Sequence, residues 1–299
     1  MNYAWSLPAL LLLSLGCVPA QAGHQHAAPA AAPPKTSDPR GRKPLLRTAP
    51  DLEAPTDRVP RPPEPSADPC PSEMAHIVAE RTFCIDRWEA HIALLKTDGP
   101  SSAWPPNRTL EAVETRITAV SEPGQLPQGY ISGAEAALAC ERAGKRLCDL
   151  DEWVAACRGP KNTRYPYGDQ RQPDVCNDRF SKLDHHPVVR LFKAHAEPGT
   201  PASQMWLPQW MNDPRLFELD HTVVPAGSFE RCTNEYGVYD MVGNLHEWVV
   251  DPEGTFVGGF FMDTFQNGEG CEYVTRAHPF DYHDYSTGFR CCRDPVPSQ

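Results

Sequence analysis

The chain offers no apolar stretch of membrane-spanning length near its start, no charged side chain in residues 1–22, no C-x2-C cysteine pair and no excess of positive charge. Each absence removes a class of protein. The early apolar run Leu7-Pro-Ala-Leu-Leu-Leu-Leu-Ser-Leu-Gly16 falls short of the roughly 20 residues a bilayer helix requires. It precedes Ala20-Gln21-Ala22, a small-x-small site, so residues 1–22 read as a cleaved export signal rather than an anchor. Leu13-Ser-Leu-Gly-Cys17 offers a second route, in which Cys17 is acylated and tethers the protein to a membrane through lipid.

Close cysteine pairs are what a structural zinc site uses, and adjacent Cys291 and Cys292 are too near each other to share one ion comfortably. Setting Cys17 aside leaves ten of the 11 cysteines. An even number behind an export signal predicts a disulfide framework and an exported location: periplasm, cell envelope or medium. The net charge is −11; residues 1–22 contribute none of it, and residues 23–69 carry seven Lys/Arg against six Asp/Glu, which leaves −12 for the rest. Such a domain repels phosphate backbones, which excludes nucleic acid as a partner.

What is present is unevenly distributed. Residues 23–69 are dominated by Pro, Ala, Arg and Asp with few aliphatic clusters, and predict a disordered tether. His24 and His26 within it could bind a metal or be merely solvated. From Cys70 the texture changes. Phe83 to Glu89 is strand-like, Ser132-Gly-Ala-Glu135 is a capping box opening a helix over 134–143, and Asp149-Leu-Asp-Glu152 opens another that stops at Gly159-Pro160. Beyond residue 160 the periodicity fades into turns, and disulfides would have to hold that coil. Asn107-Arg-Thr109 is a glycosylation triplet of the kind that also arises by chance.

Several segments together resemble one family: Cys84-Ile-Asp-Arg-Trp-Glu89; Ala143-Gly-Lys-Arg-Leu147 with Glu152-Trp153; Tyr165-Pro-Tyr-Gly-Asp169; Gly237-Val-Tyr-Asp-Met-Val-Gly-Asn-Leu-His-Glu-Trp248; Gly258-Gly259; and Gly288-Phe-Arg-Cys291. In this order they are similar to the sulfatase-modifying-factor, or formylglycine-generating enzyme, family over residues 70–295, with an insertion at about 179–224. The resemblance implies an α+β, coil-rich variant of the C-type-lectin fold, stabilised by disulfides and calcium. It also implies the bridges Cys140–Cys291 and Cys157–Cys271; Cys176 and Cys232 border the two segments where it places calcium and are expected to pair, and Cys70, Cys84, Cys148 and Cys292 stay open.

Competent members of that family convert a cysteine of a sulfatase to formylglycine with copper held by two thiolates. Here Asp263 falls where the first of those cysteines belongs, and the second position falls near Gln266. A carboxylate and an amide do not replace thiolates for Cu(I). The expectation is therefore a pseudoenzyme of the family that binds a peptide or a glycan. The competing reading is an oxidoreductase of the same family with another metal centre, or cysteine oxidation through a free Cys271.

Three segments carry candidate sites. Asp240, Gly243, Leu245 and Glu247 combine two carboxylates with backbone carbonyls, and the resemblance places calcium there, with a second calcium at Asn177 and Asp178. The same carboxylates could instead cap turns. His278-Pro-Phe-Asp-Tyr-His-Asp-Tyr285 gathers His278, Asp281, His283 and Asp284, a donor set that would suit iron; loop histidines more often simply hydrogen-bond. Iron and copper are not expected as cofactors. In the insertion, Trp206 and Trp210 are four apart and could line a groove or pack over the interior.

Overall fold

The computed structural model describes residues 68–96, 101–179 and 185–296. The expected export signal, Cys17 and nearly all of the 23–69 tether lie outside the described residues. In chain order the elements are β1 (Met74–Val78), β2 (Thr82–Asp86), β3 (Ala90–Leu94), β4 (Ser102–Ala103), β5 (Ile117–Ser121), α1 (Gly133–Arg142), β6 (Arg146–Leu147) and α2 (Leu150–Arg158). They continue with α3 (Pro187–His195), α4 (Pro208–Met211), β7 (His246–Val249), β8 (Thr255–Val257), β9 (Val274–Thr275), β10 (Thr287–Phe289) and β11 (Cys291–Arg293). Three small sheets result, ordered β1-β2-β11-β6, β10-β7-β8-β9 and β4-β3-β5. Every pairing is antiparallel except β10 with β7. This is the α+β, coil-rich architecture expected. Among the described residues no helix is long and apolar enough to cross a membrane.

Side-chain alternation places the core. In β2, Phe83 and Ile85 point one way and pair across from Ile77 and Ala75 of β1, all four in one buried cluster with Trp153. Cys84 points the other way, against Met74 and Cys70. The period of two also explains the adjacent cysteines of β11. Cys291 and Cys292 face opposite sides of the strand, so each reaches a different partner, Cys140 in α1 and Cys148 just before α2. Cys157–Cys271, Cys176–Cys232 and Cys70–Cys84 complete five bridges.

The two helices anticipated from capping signals form as read. The Ser132 hydroxyl accepts from the Glu135 amide, and the Glu135 carboxylate accepts from the Ser132 amide at 2.8 Å. The α1 face Gly133, Ala136, Ala139 and Cys140 is buried. Glu152 accepts from the Asp149 amide at 2.9 Å at the start of α2, which buries Trp153, Ala156 and Cys157.

The insertion is more regular than its sequence suggests. Rather than turns alone it holds α3, a 3-10 turn at Ala202–Trp206, α4 and another 3-10 turn at Pro214–Glu218. Pro187 at the first turn of α3 supplies the right φ where no N–H is needed, and Val188, Val189, Leu191 and Phe192 are buried. Because α3 is short and carries a histidine cap, its periodicity is easy to miss. The Nδ1 of His186 accepts from the Val188 amide at 3.3 Å, and its Nε2 faces the Tyr285 hydroxyl at 3.1 Å.

Burial pushes the His186 ring down to about 4. A histidine held below its unfolded value adds no penalty above pH 6.5 and costs stability as pH falls towards its folded value. Acidification from pH 7 to pH 4 should therefore cost roughly 3 kcal/mol through this residue. His186→Asn retains a side-chain cap and removes the ring. Urea unfolding of the two proteins across that range should show a shallower acid loss in the variant; equal slopes would contradict this account.

Candidate functional site

The segment after β8 is where the copper cysteines of a competent family member would lie. Gly258 and Gly259 both have positive φ, 80° and 71°, and a Cβ on Gly259 would stand 2.2 Å from the Asp263 carbonyl. Only glycine allows this approach. The tight turn that follows pairs Phe260 with Asp263. The Asp263 carboxylate accepts from the amides of Phe265 and Gln266, both at 3.0 Å, and from the Tyr273 hydroxyl at 3.1 Å. Asp263 is thus a buried turn-forming group, while Gln266 points into solvent. Cys271 is bridged to Cys157, and the other eight cysteines of residues 70–292 are bridged as well. This donor set does not fit copper, which needs soft ligands.

Beneath this turn is a buried charged cluster. Arg290 is fully buried and grips Glu247 with two bonds of 2.6 Å, while Trp153 Nε1 donates to Glu247 at 2.7 Å. Asp240 accepts from the Gly227 amide at 2.6 Å, and Glu89 accepts from the Leu245 amide at 3.0 Å and from the Asn244 side chain at 2.5 Å. Desolvation raises Asp240 to about 6, with Glu247 adding to the effect. Glu89 is raised well above the carboxylate range by burial and then by Asp240 and Glu247. Three buried carboxylates, Glu89, Asp240 and Glu247, therefore face one guanidinium, which leaves a deficit of positive charge. Asp240, like Glu89, makes no hydrogen bond to the guanidinium, and a hard oxygen of its kind suits calcium; Glu247 is held by Arg290 and Trp153, with one acceptor position left on Oε1.

The Asn177 and Asp178 pair is different. Arg171 donates to both Asp178 carboxylate oxygens, at 2.7 and 3.0 Å, and to its carbonyl at 2.9 Å. Asn177 Nδ2 donates to Thr222 O at 3.0 Å and to Asn244 Oδ1 at 2.9 Å. Charge here is already balanced, and a guanidinium holds the carbonyl a second calcium would use. These two residues do not fit a cation.

The histidine loop does not gather its four candidate donors into one site. His278 stacks on Tyr282 at 3.8 Å, and burial lowers its basicity. Asp284 is buried and caps its own turn, accepting from the Ser286 amide and hydroxyl at 2.7 Å and from the Tyr282 hydroxyl at 2.7 Å. His283 turns away, its Nδ1 3.0 Å from Asn212 Oδ1 and its Nε2 3.8 Å from Glu111. Among the described residues no three His, Cys, Asp or Glu side chains are placed to hold a metal.

What the loop does build is a groove. Asp281, Tyr282 and His283 form one wall; Trp206, Pro208, Gln209, Met211 and Asn212 form another; Thr109 and Glu111 close it, around about 610 Å³. The Tyr285 amide donates to Met211 O at 3.1 Å, locking loop to insertion. Of the two tryptophans singled out in sequence, only Trp206 lines the groove. Trp210 packs against Phe192 with ring centroids 5.1 Å apart. Asn107 of the glycosylation triplet donates to Pro214 O at 3.1 Å, so its amide is part of the fold. Sequence reading missed Glu111 and Asn212, which carry no motif of their own, and noted Thr109 only as part of the glycosylation triplet.

The chain is similar to the Bos taurus and Mus musculus proteins named inactive C-alpha-formylglycine-generating enzyme 2, at 28% and 26% identity over 130 residues. That stretch is 43% of this chain and 34% and 33% of the two relatives, so the chain spans about a third of their length. Among solved structures it is similar to PvdO from Pseudomonas aeruginosa, with 16% identity, 73% of this chain and 82% of that chain covered, and a TM-score of 0.41. It is also similar to Treponema denticola variable protein 1, with 11% identity, 76% and 100% covered, and a TM-score of 0.39. A family model described as sulfatase-modifying factor enzyme 1-like domain matches residues 102–295, and the chain belongs to that family.

Proposed function

We propose that this protein is an exported family member that does not generate formylglycine and that binds a peptide or a glycan. One observation carries the first part: every cysteine of residues 70–292 is bridged, and a hydrogen-bonded carboxylate, Asp263, stands at the first copper position. The curated relatives carry the word inactive in their names, which supports the same reading. Five disulfides support export, because reducing compartments keep thiols open. Any membrane attachment would then run through lipid on Cys17. The groove between the insertion and the histidine loop supplies the binding surface.

The test uses purified full-length protein, Cu(I) and a cysteine peptide of the sulfatase type under oxygen. Expected are no stoichiometric copper binding, no thiol in the folded domain that reacts with a disulfide reagent, and unmodified peptide. A tightly bound equivalent of copper, or conversion of the peptide cysteine, would overturn the proposal.

We further propose one structural calcium at Asp240, Gly243, Leu245 and Glu247. Calcium at about 100 times its dissociation constant should add about 2.7 kcal/mol to the unfolding free energy. Asp240→Asn keeps an acceptor for the Gly227 amide and removes the charge, so it should abolish that gain. Calcium titration by calorimetry should reach one equivalent; two equivalents would contradict the exclusion of Asn177 and Asp178.

A further inference from the structure

We infer that the groove formed by Trp206, Met211, Asn212, Glu111, Asp281 and His283 takes a neutral glycan. This rests on the binding-module reading above and names its ligand class. The groove's walls are a 3-10 turn, one turn of helix and loops, and none of its lining residues lies in a strand. A peptide therefore finds no free sheet edge on which to add a strand. Recognition has to come from side chains.

The chemistry of those side chains is selective. No Lys or Arg lines the groove, while Glu111 and Asp281 do. Sulfated, phosphorylated and carboxylated ligands would meet repulsion without compensation. A lysine side chain would satisfy the two carboxylates and could sit on the indole, but an ammonium only donates hydrogen bonds. Asn212 has its oxygen facing His283 at 3.0 Å, which leaves its NH2 to donate. Gln209 and Thr109 also bring donors. These groups call for a ligand that accepts as well as donates at closely spaced points, which is what sugar hydroxyls do.

The platform is also prepared in advance. Trp206 is 45% exposed and is the single aromatic among the strongly exposed large apolar side chains of the described residues. It is held from behind by His186, edge to face at 5.0 Å. A ring fixed in this way loses little freedom on binding, and its open face matches the C–H face of a pyranose.

The experiment titrates the full-length protein with three probes: a neutral N-acetylhexosamine trisaccharide, its sulfated counterpart, and a tetralysine peptide. Calorimetry measures affinity, and the emission of Trp206→Phe against the parent assigns the site. The neutral trisaccharide is expected to bind in preference to the other two, weakening about tenfold or more in Trp206→Ala and in Asp281→Asn, with both variants unfolding at the parent's temperature. Binding of tetralysine through Trp206 without binding of the trisaccharide would overturn the glycan assignment and leave the binding-module reading standing. Preference for the sulfated probe would overturn the assignment too. Failure of all three probes to perturb Trp206 would overturn both.

Discussion

Replacing Arg290 with methionine is expected to cost about 3–5 kcal/mol, enough to unfold much of the population under mild conditions. The side chain is fully buried and holds Glu247 through two charge-assisted bonds, and it also donates to the carbonyls of Asp86 at 3.0 Å and Tyr239 at 2.8 Å. Methionine fills similar volume, so the loss is electrostatic rather than a cavity. It leaves Glu247, Asp240 and Glu89 without a facing cation, and those carboxylates then protonate or draw in water. Adding Glu247→Gln should recover part of the loss, because it removes one of the stranded charges. Urea denaturation of the single and double variants measures both effects; a double variant no more stable than Arg290→Met would refute the charge argument.

The second large effect concerns the paired bridges of β11. Cys140–Cys291 and Cys148–Cys292 close almost the same loop, with separations of 151 and 144 residues. While either remains, the other closes only a short additional ring, so opening one alone should cost about 3 kcal/mol in the chain-entropy view. With Cys157–Cys271 still in place, opening both releases a ring of roughly 30 residues as well, and the combined cost should be on the order of 6–7 kcal/mol. The loss is therefore more than additive, as expected for elements sharing one constraint. Alanine replacements at each pair and at both pairs, compared by urea unfolding, give the numbers. Two independent losses that simply sum would show that the bridges act separately.

Much of the scaffold was legible along the chain. Capping signals at Ser132 and Asp149 act over three residues, and both helices start there. The strand-like stretch read over Phe83 to Glu89 forms a strand over Thr82 to Asp86. The family resemblance, which supplied two of the cysteine pairings, needed only the order of its motifs. Cys70–Cys84 and Cys148–Cys292 stayed open because which cysteine meets which depends on where β11 inserts between β2 and β6. The helix α3 went unread because its stabilisation comes from packing on Tyr130, Leu216 and Tyr285, none of them near it in sequence.

Candidate sites divided in the same way. The loss of a thiolate pair is a matter of residue type, and Asp263 alone announces it. What Asp263 does instead depends on Tyr273, ten residues away along the chain. Glu247 could be proposed as an oxygen ligand from its neighbours, but its sharing with Arg290 needed the pairing of β7 with β10. The four histidine-loop residues lie within seven positions and still do not converge on one site, because a loop's side chains follow its packing and not its spacing.

By itself the sequence determined the family, the coil-rich α+β class, an even cysteine framework and the carboxylate at position 263, since these depend on residue identity and on periodicities within a few positions. Tertiary structure alone decided which acids face Arg290, that Asp178 is neutralised by Arg171, and that residues near 110, 210 and 282 converge on one groove. Contacts between segments a hundred residues apart are set by sheet register and loop closure, and neither is written in local spacing.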